Sequence, residues 1–452
     1  MRFLTITLSL ILSTQAIGWE NHTLVTHPMI ASLPEVKEAD SVKVESLDSF
    51  LLSNEQGLES FLEQQEQWMR SELWHYDPRP DDLAFVATGE ARDIRDRFAR
   101  AIRINPNTRW ALYLQQLPEH PRQPSTITPA EISTLQDPAW IENLRLTRLH
   151  PGEMVSPVDV VSTGSDEPDH GLDIGLFTDN QTEYGKVYGF GVQPFGNASL
   201  EYGTQAPFHM GFYQEGELVY TFASFLKRTH TEYRIQLFKQ LSEFAFAQGN
   251  DHWGWRFMGM GLHYIGDFSN PYHVAPIPGS GSLATVWVGL QSMLGFTQAQ
   301  DEAIQLASNR HAALESFQSA VMTKAFKEGD HGHSTFMSLS KGGTVRQFED
   351  GDIVNVFAKS GFDQAEDTYQ ALAKAMPYQF VDDPAIEYTD LNIDEHQLME
   401  TVRKTSGDEG YSALTAQISD LLVIFSRNAA SYINGILDKE SILLSAQNAS
   451  EE

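Results

Sequence analysis

The segment Gly261-Leu262-His263-Tyr264-Ile265-Gly266-Asp267-Phe268-Ser269-Asn270-Pro271-Tyr272-His273 constrains the fold of this chain more than any other. His263 and Asp267 stand four residues apart, so on a helix they share one face. Asn270-Pro271 then ends the helix and turns the chain so that His273 can approach the same point. Further along, His311 and Glu315 repeat the four-residue spacing, and a pair of this type on one helix is a usual way to hold zinc. Any one of these histidines alone reads as a hydrogen-bonded core or surface residue. Together the five residues demand more, because each ring needs its other nitrogen satisfied and converging carboxylates need a cation to neutralise them.

Around this segment the periodicity is helical. From Glu232 to Gly249 the apolar residues Ile235, Leu237, Phe238, Leu241, Phe244 and Phe246 recur at mostly helical spacing, ending in Gln248-Gly249-Asn250. Asp251 is expected to N-cap a second helix running to about Asp267. Further helices are expected over Gln56–Leu73, Asp301–Lys327, Asp363–Ala375, Asp394–Lys404 and Tyr411–Lys439. The Gly-, Asp- and Asn-rich stretch Val161–Asn197 reads as loops with short extended pieces. Trp253 and Trp255 read as core. The expected class is mainly α.

The first residues set the compartment. Arg2 precedes an apolar run, Phe3–Leu12, and a small-residue site at Ala16-Ile17-Gly18, the pattern of a secretory signal peptide over residues 1–18. That run is too short to span a membrane. Secretion is therefore expected, with release to the medium and retention in the periplasm both open. Cleavage after Gly18 would make Trp19 the new N-terminus. The chain has no cysteine, so disulfides and thiolate metal sites are excluded and any transition-metal site must use nitrogen and oxygen donors. A formal charge of -30 repels phosphate backbones, which disfavours a nucleic-acid partner.

His263-Tyr264-Ile265-Gly266-Asp267 followed by Asn270-Pro271-Tyr272-His273 resembles the zinc-binding signature shared by bacterial phospholipases C and fungal or plant single-strand nucleases. In that family the mature N-terminus is a tryptophan whose amino and carbonyl groups bind one zinc beside a nearby histidine. Trp19 and His22 match this, with His27 the reserve. The stretch Gly164-Ser165-Asp166-Glu167-Pro168-Asp169 is similar to the family's stretch ending in Pro-Asp and nominates Asp169, with Asp166, His170 and Asp173 open as alternatives. Pro207-Phe208-His209-Met210-Gly211-Phe212-Tyr213 nominates His209.

The resemblance implies a helical bundle around a cluster of three zinc ions, with long loop insertions. One ion would bind Asp169, His209, His263 and Asp267; a second His273, His311 and Glu315; the third Trp19, His22 and the shared Asp267. A zinc-activated water is then the expected nucleophile on phosphorus, with Asp169 as the catalytic group that orients or deprotonates it. The implied organisation is a catalytic domain over 19–327, a helical C-terminal extension packed on it over 328–440 and a polar tail over 441–452. The favoured activity is phospholipase C cleavage of glycerophospholipids, phosphatidylcholine above all, by a monomer in transient contact with a membrane or lipid aggregate, for which the insertion Pro276–Gly295 could serve as a lip. A zinc-dependent single-strand nuclease and a non-catalytic exported zinc-binding protein stay open. His252 and the pair His331 and His333 are left outside the ligand set.

Overall fold

The computed structural model describes residues 21–118, 123–136, 138–198, 200–279, 298–341 and 346–438. The expected signal peptide, Trp19, the tail over 441–452 and most of the 276–295 insertion lie outside the described residues.

The molecule is mainly α, with two small antiparallel ribbons among the described residues. One pairs Val42–Lys43 with Met154–Val155, and the other pairs Tyr113–Gln115 with Leu146–Arg148. No helix among the described residues is long and apolar enough to cross a membrane.

At the centre lie two antiparallel helices, Thr231–Ala247 and Asp251–Ser269. The first ends in a Schellman arrangement, Asn250 N–H to Ala245 O (2.9 Å) and Gly249 N–H to Phe246 O (3.0 Å), which satisfies carbonyls the helix leaves free. Asp251 is the first residue of the second helix, and Asn250 holds the capping position instead. The Asn250 side chain does not cap; it bonds Asn54 (2.9 Å) and Glu45 (2.9 Å), tying the turn to the start of the Glu55–Glu72 helix. From His252 to Ser269 every residue of the second helix is buried, as expected of a helix surrounded by others.

What surrounds it comes from the whole chain. The helices His22–Ile30, Pro157–Gly164 and Glu395–Leu437 pack on it, and Gln298–Glu328 packs in turn on Glu395–Leu437. Trp253 and Trp255 are buried in this core. The Pro157–Gly164 crossing is unusually close: a Cβ on Gly259 would lie 2.3 Å from Val161 O and one on Gly164 would lie 2.7 Å from Arg256 O. Here the loop reading of Val161–Asn197 is corrected, because Val161–Gly164 is helical and Glu167–His170 forms a 3-10 turn. Valines and a terminal glycine give that segment little intrinsic helicity; its packing against the central helix supplies the rest. At the other end, Glu395–Leu437 carries one non-helical residue, Gly407, at φ 70° and ψ -174°, so the two expected C-terminal helices join across a kink that needs glycine.

Candidate metal centre

Eight side chains from six segments converge beside the C-terminal half of the central helix. His22 comes from the first turn of His22–Ile30, Asp169 from the 3-10 turn, and His209 from the last residue of the Glu201–His209 helix. His263 and Asp267 project from the central helix, His273 from the short Pro271–Val274 helix, and His311 and Glu315 from Gln298–Glu328. None is more than 3% exposed.

They form three groups able to hold metal ions, the first two sharing His263: His22, His263 and Asp267; Asp169, His209 and His263; His273, His311 and Glu315. Tetrahedral coordination with bonds of about 2.0–2.1 Å places neighbouring donors about 3.3 Å apart. The observed separations bracket that value. His22 Nε2 lies 3.5 Å from Asp267 Oδ1, and His263 Nε2 lies 3.5 Å from Asp267 Oδ2 and 3.8 Å from Asp169 Oδ1. His311 Nε2 stands 2.6 Å from Glu315 Oε1, and His273 Nε2 stands 3.5 Å from the same oxygen. Two pairs of ring nitrogens face each other directly, His263 Nε2 to His209 Nδ1 at 3.0 Å and His311 Nε2 to His273 Nε2 at 2.8 Å. In His263 and His273 the other nitrogen faces a backbone carbonyl, Ser165 O (2.8 Å) and His209 O (2.9 Å) respectively. Neutral rings held this way turn their Nε2 lone pairs inward, where a cation suits them.

The electrostatics agree. Burial pushes Asp169 up to about 7 against the pull of His209 and His22. Burial also works against a charged His209, yet Asp173 and Asp267 push it up to about 10. Asp267 is raised by burial but held well below the usual carboxylate range by His273 and His263, while burial drives His263 and His311 well below theirs. Rings that hold a proton, His209 and His22, thus stand beside rings that give one up, His263, His273 and His311. Both nitrogens of His22 and Oδ1 of Asp267 have no hydrogen-bond partner, although they are buried.

The neighbouring residues fix the donors. Asn270 does two things: its Oδ1 accepts the Tyr272 N–H (3.1 Å), starting the Pro271–Val274 helix, and its Nδ2 donates to Glu315 Oε1 (2.8 Å). Gly211 N–H donates to His273 O (2.8 Å), so residues 209–211 and His273 grip each other. Gln205 donates to Asp169 Oδ1 (3.1 Å).

Of the four candidates near residue 169, Asp169 alone joins one of the three groups. Asp166 accepts the Thr23 N–H (3.2 Å) and the Gln115 amide, and so fixes the residue after His22. His170 turns to the Tyr113 hydroxyl (3.1 Å). Asp173 lies behind His209. His27 stands 3.8 Å from Asp159 at the rim of the first helix, and His333 pairs with Thr335 at the start of the Ser334–Ser340 helix. His252 stands outside the groups, pushed down to about 3 by burial and by Arg256. The resemblance missed the roles of Asn270 and Gln205; Asn270 was in plain view but read only as a helix stop.

Comparison of the chain with protein-family models, with curated proteins and with solved structures finds no match. The site therefore has to be interpreted from its own geometry.

Proposed function

We propose that the chain is a zinc-dependent phosphodiesterase that cleaves glycerophospholipids, with phosphatidylcholine the favoured substrate. The observation that carries this reading is that His263 and Asp267, the two residues of the sequence signature, are the ones shared between or adjoining metal-holding groups assembled from distant segments. Zinc is favoured over other cations because each group combines imidazoles with a single carboxylate at tetrahedral separations, whereas magnesium and calcium prefer all-oxygen shells. Bound zinc would supply Lewis acidity toward a phosphodiester and activate water for attack on phosphorus.

The chain's own residues supply the rest. Three carboxylates, Asp169, Asp267 and Glu315, leave the charge of three dications incompletely balanced, so the centre attracts an anionic phosphodiester. Asp169 is held at Oδ1 by Gln205, which fixes the carboxylate at the cluster, where it would orient the nucleophile or take its proton. The charge of -30 opposes a polyanionic substrate, while a zwitterionic head group meets much less repulsion.

The test is hydrolysis of phosphatidylcholine by protein beginning at Trp19, with chelator, zinc add-back and His263→Ala in parallel and denatured DNA as a competing substrate. Diacylglycerol and phosphocholine released only with zinc and intact His263 is the expected result. Nucleotide release without lipid cleavage would move the protein to the nuclease reading, and neither product with zinc still bound would leave a zinc-binding protein.

A further inference from the structure

His209 differs from His263 and His273 in the way its ring is presented. Those two turn Nδ1 to a backbone carbonyl and Nε2 to the cluster, whereas His209 turns Nδ1 to the cluster, 3.1 Å from Asp267 Oδ2 and 3.0 Å from His263 Nε2. Its Nε2 faces away, toward Asp173 Oδ2 at 3.4 Å. Asp173 is fully buried and its two oxygens are committed. Oδ1 takes Nε (2.8 Å) and Nη2 (2.7 Å) of the buried Arg234, and Oδ2 takes the Tyr264 hydroxyl (2.6 Å). Arg234 is anchored in turn, donating to Ile102 O (3.0 Å) and Arg103 O (2.8 Å). Arg103 adopts a left-handed backbone, φ 50°, which a residue with a side chain rarely takes up and which is maintained here by the surrounding packing.

We propose that Asp173 is a positioning residue for the metal centre: it holds His209 in the tautomer with hydrogen on Nε2, so that Nδ1 presents its lone pair to the metal. The reasoning is one of donors and acceptors. A carboxylate paired with a guanidinium is ionised and can only accept, so the nitrogen facing it carries hydrogen; Nδ1 faces the Asp267 carboxylate at 3.1 Å, and a cation taken up between those two would displace the Nδ1 proton and leave that nitrogen bare. The 3.4 Å separation is longer than a formed hydrogen bond and would shorten as a metal draws the ring into register. Because the His209 carbonyl also accepts from His273 Nδ1, an error in His209 passes to the neighbouring group.

This inference rests on the metal-centre reading, and its test separates the two. Zinc affinity and stoichiometry would be measured by competition with a chromophoric chelator on wild type, Asp173→Asn and Tyr264→Phe, with the histidine tautomers read by ¹⁵N NMR on the zinc-loaded proteins. In Asp173→Asn the amide oxygen stays with Arg234 and the NH₂ faces His209, which reverses the tautomer demanded. One zinc should weaken by about 10–100-fold, and the His209 signal should leave the Nε2–H pattern. Tyr264→Phe keeps the ring and frees one bond to Asp173, so the same zinc should weaken less and the fold should survive. Wild-type affinity for every zinc in a folded Asp173→Asn would overturn the inference alone. Should that variant fail to fold, unchanged affinity and tautomer in Tyr264→Phe would overturn it. A wild-type protein that takes up no zinc would overturn the metal-centre reading along with it.

Discussion

Glu232 lies in the first turn of the Thr231–Ala247 helix with its carboxyl buried against the Trp74 N–H (3.2 Å). Burial pushes its pKa up to about 7 despite that hydrogen bond, and the carboxylate of Asp350 adds to the rise. The folded protein thus holds this proton more tightly than the unfolded chain, whose glutamate titrates near 4.5. Unfolding releases the proton between those values, so the contribution of Glu232 to stability falls as pH rises from about 4.5 to about 7 and is level beyond. Glu232→Gln keeps the acceptor and removes the charge. Urea unfolding should show no gain for this variant at pH 4.5 and a gain of up to about 3 kcal/mol at pH 8, since each pKa unit is worth about 1.4 kcal/mol. An equal gain at both values would mean that the carboxyl is not the titrating group.

Among the elements, the crossing of Pro157–Gly164 with the central helix decides most. A methyl group on Gly259 would meet backbone at 2.3 Å, which cannot turn aside as a side chain can. Gly259→Ala should therefore force the helices apart at about 2–3 kcal/mol, measured by urea unfolding. Because Ser165, which follows Gly164, carries the carbonyl that orients His263, zinc affinity should fall as well. Gly57→Ala serves as the comparison: its new methyl would meet the Phe244 ring at an ordinary 3.8 Å, so it should be neutral or stabilise by about 0.5–1 kcal/mol. Similar losses in both variants would sink the idea that the close approach matters. The Thr231–Ala247 helix was legible because an apolar repeat at mostly helical spacing runs through it and Gln248-Gly249-Asn250 ends it, and the central helix because Asn270-Pro271 stops it. Pro157–Gly164 was not, because its helicity comes from a partner about a hundred positions away.

For the whole molecule, the centre joins segments from residue 22 to residue 315. Cations bound in the three groups would link these segments, and they would bind only where the segments are folded together. Each site saturated a thousandfold above its Kd adds about 4 kcal/mol to folding. Chelation should lower the thermal midpoint well beyond the loss caused by any single ligand variant, with zinc restoring it, as followed by calorimetry with and without EDTA. An unchanged midpoint would mean that the eight donors are content with protons. His311→Ala should cost only part of the effect, because His311 belongs to one of the three groups.

The sequence by itself determined the mainly α class, the exclusion of thiolate ligands and the pairing of His263 with Asp267 and of His311 with Glu315. These rest on composition and on spacings of a few residues, which helix geometry converts directly into shared faces. Asp169 and His209 could be nominated only by resemblance, and the choice between Asp169 and its neighbours needed the tertiary structure, in which Asp169 faces the cluster while Asp166 turns to Gln115, His170 to Tyr113 and Asp173 to Arg234. Tertiary structure alone decided that Asp173 stands behind His209, that Asn270 braces Glu315 and that Gly259 lets two backbones touch. The partners in those contacts are far apart along the chain, and no local periodicity encodes which distant surface a buried side chain will meet.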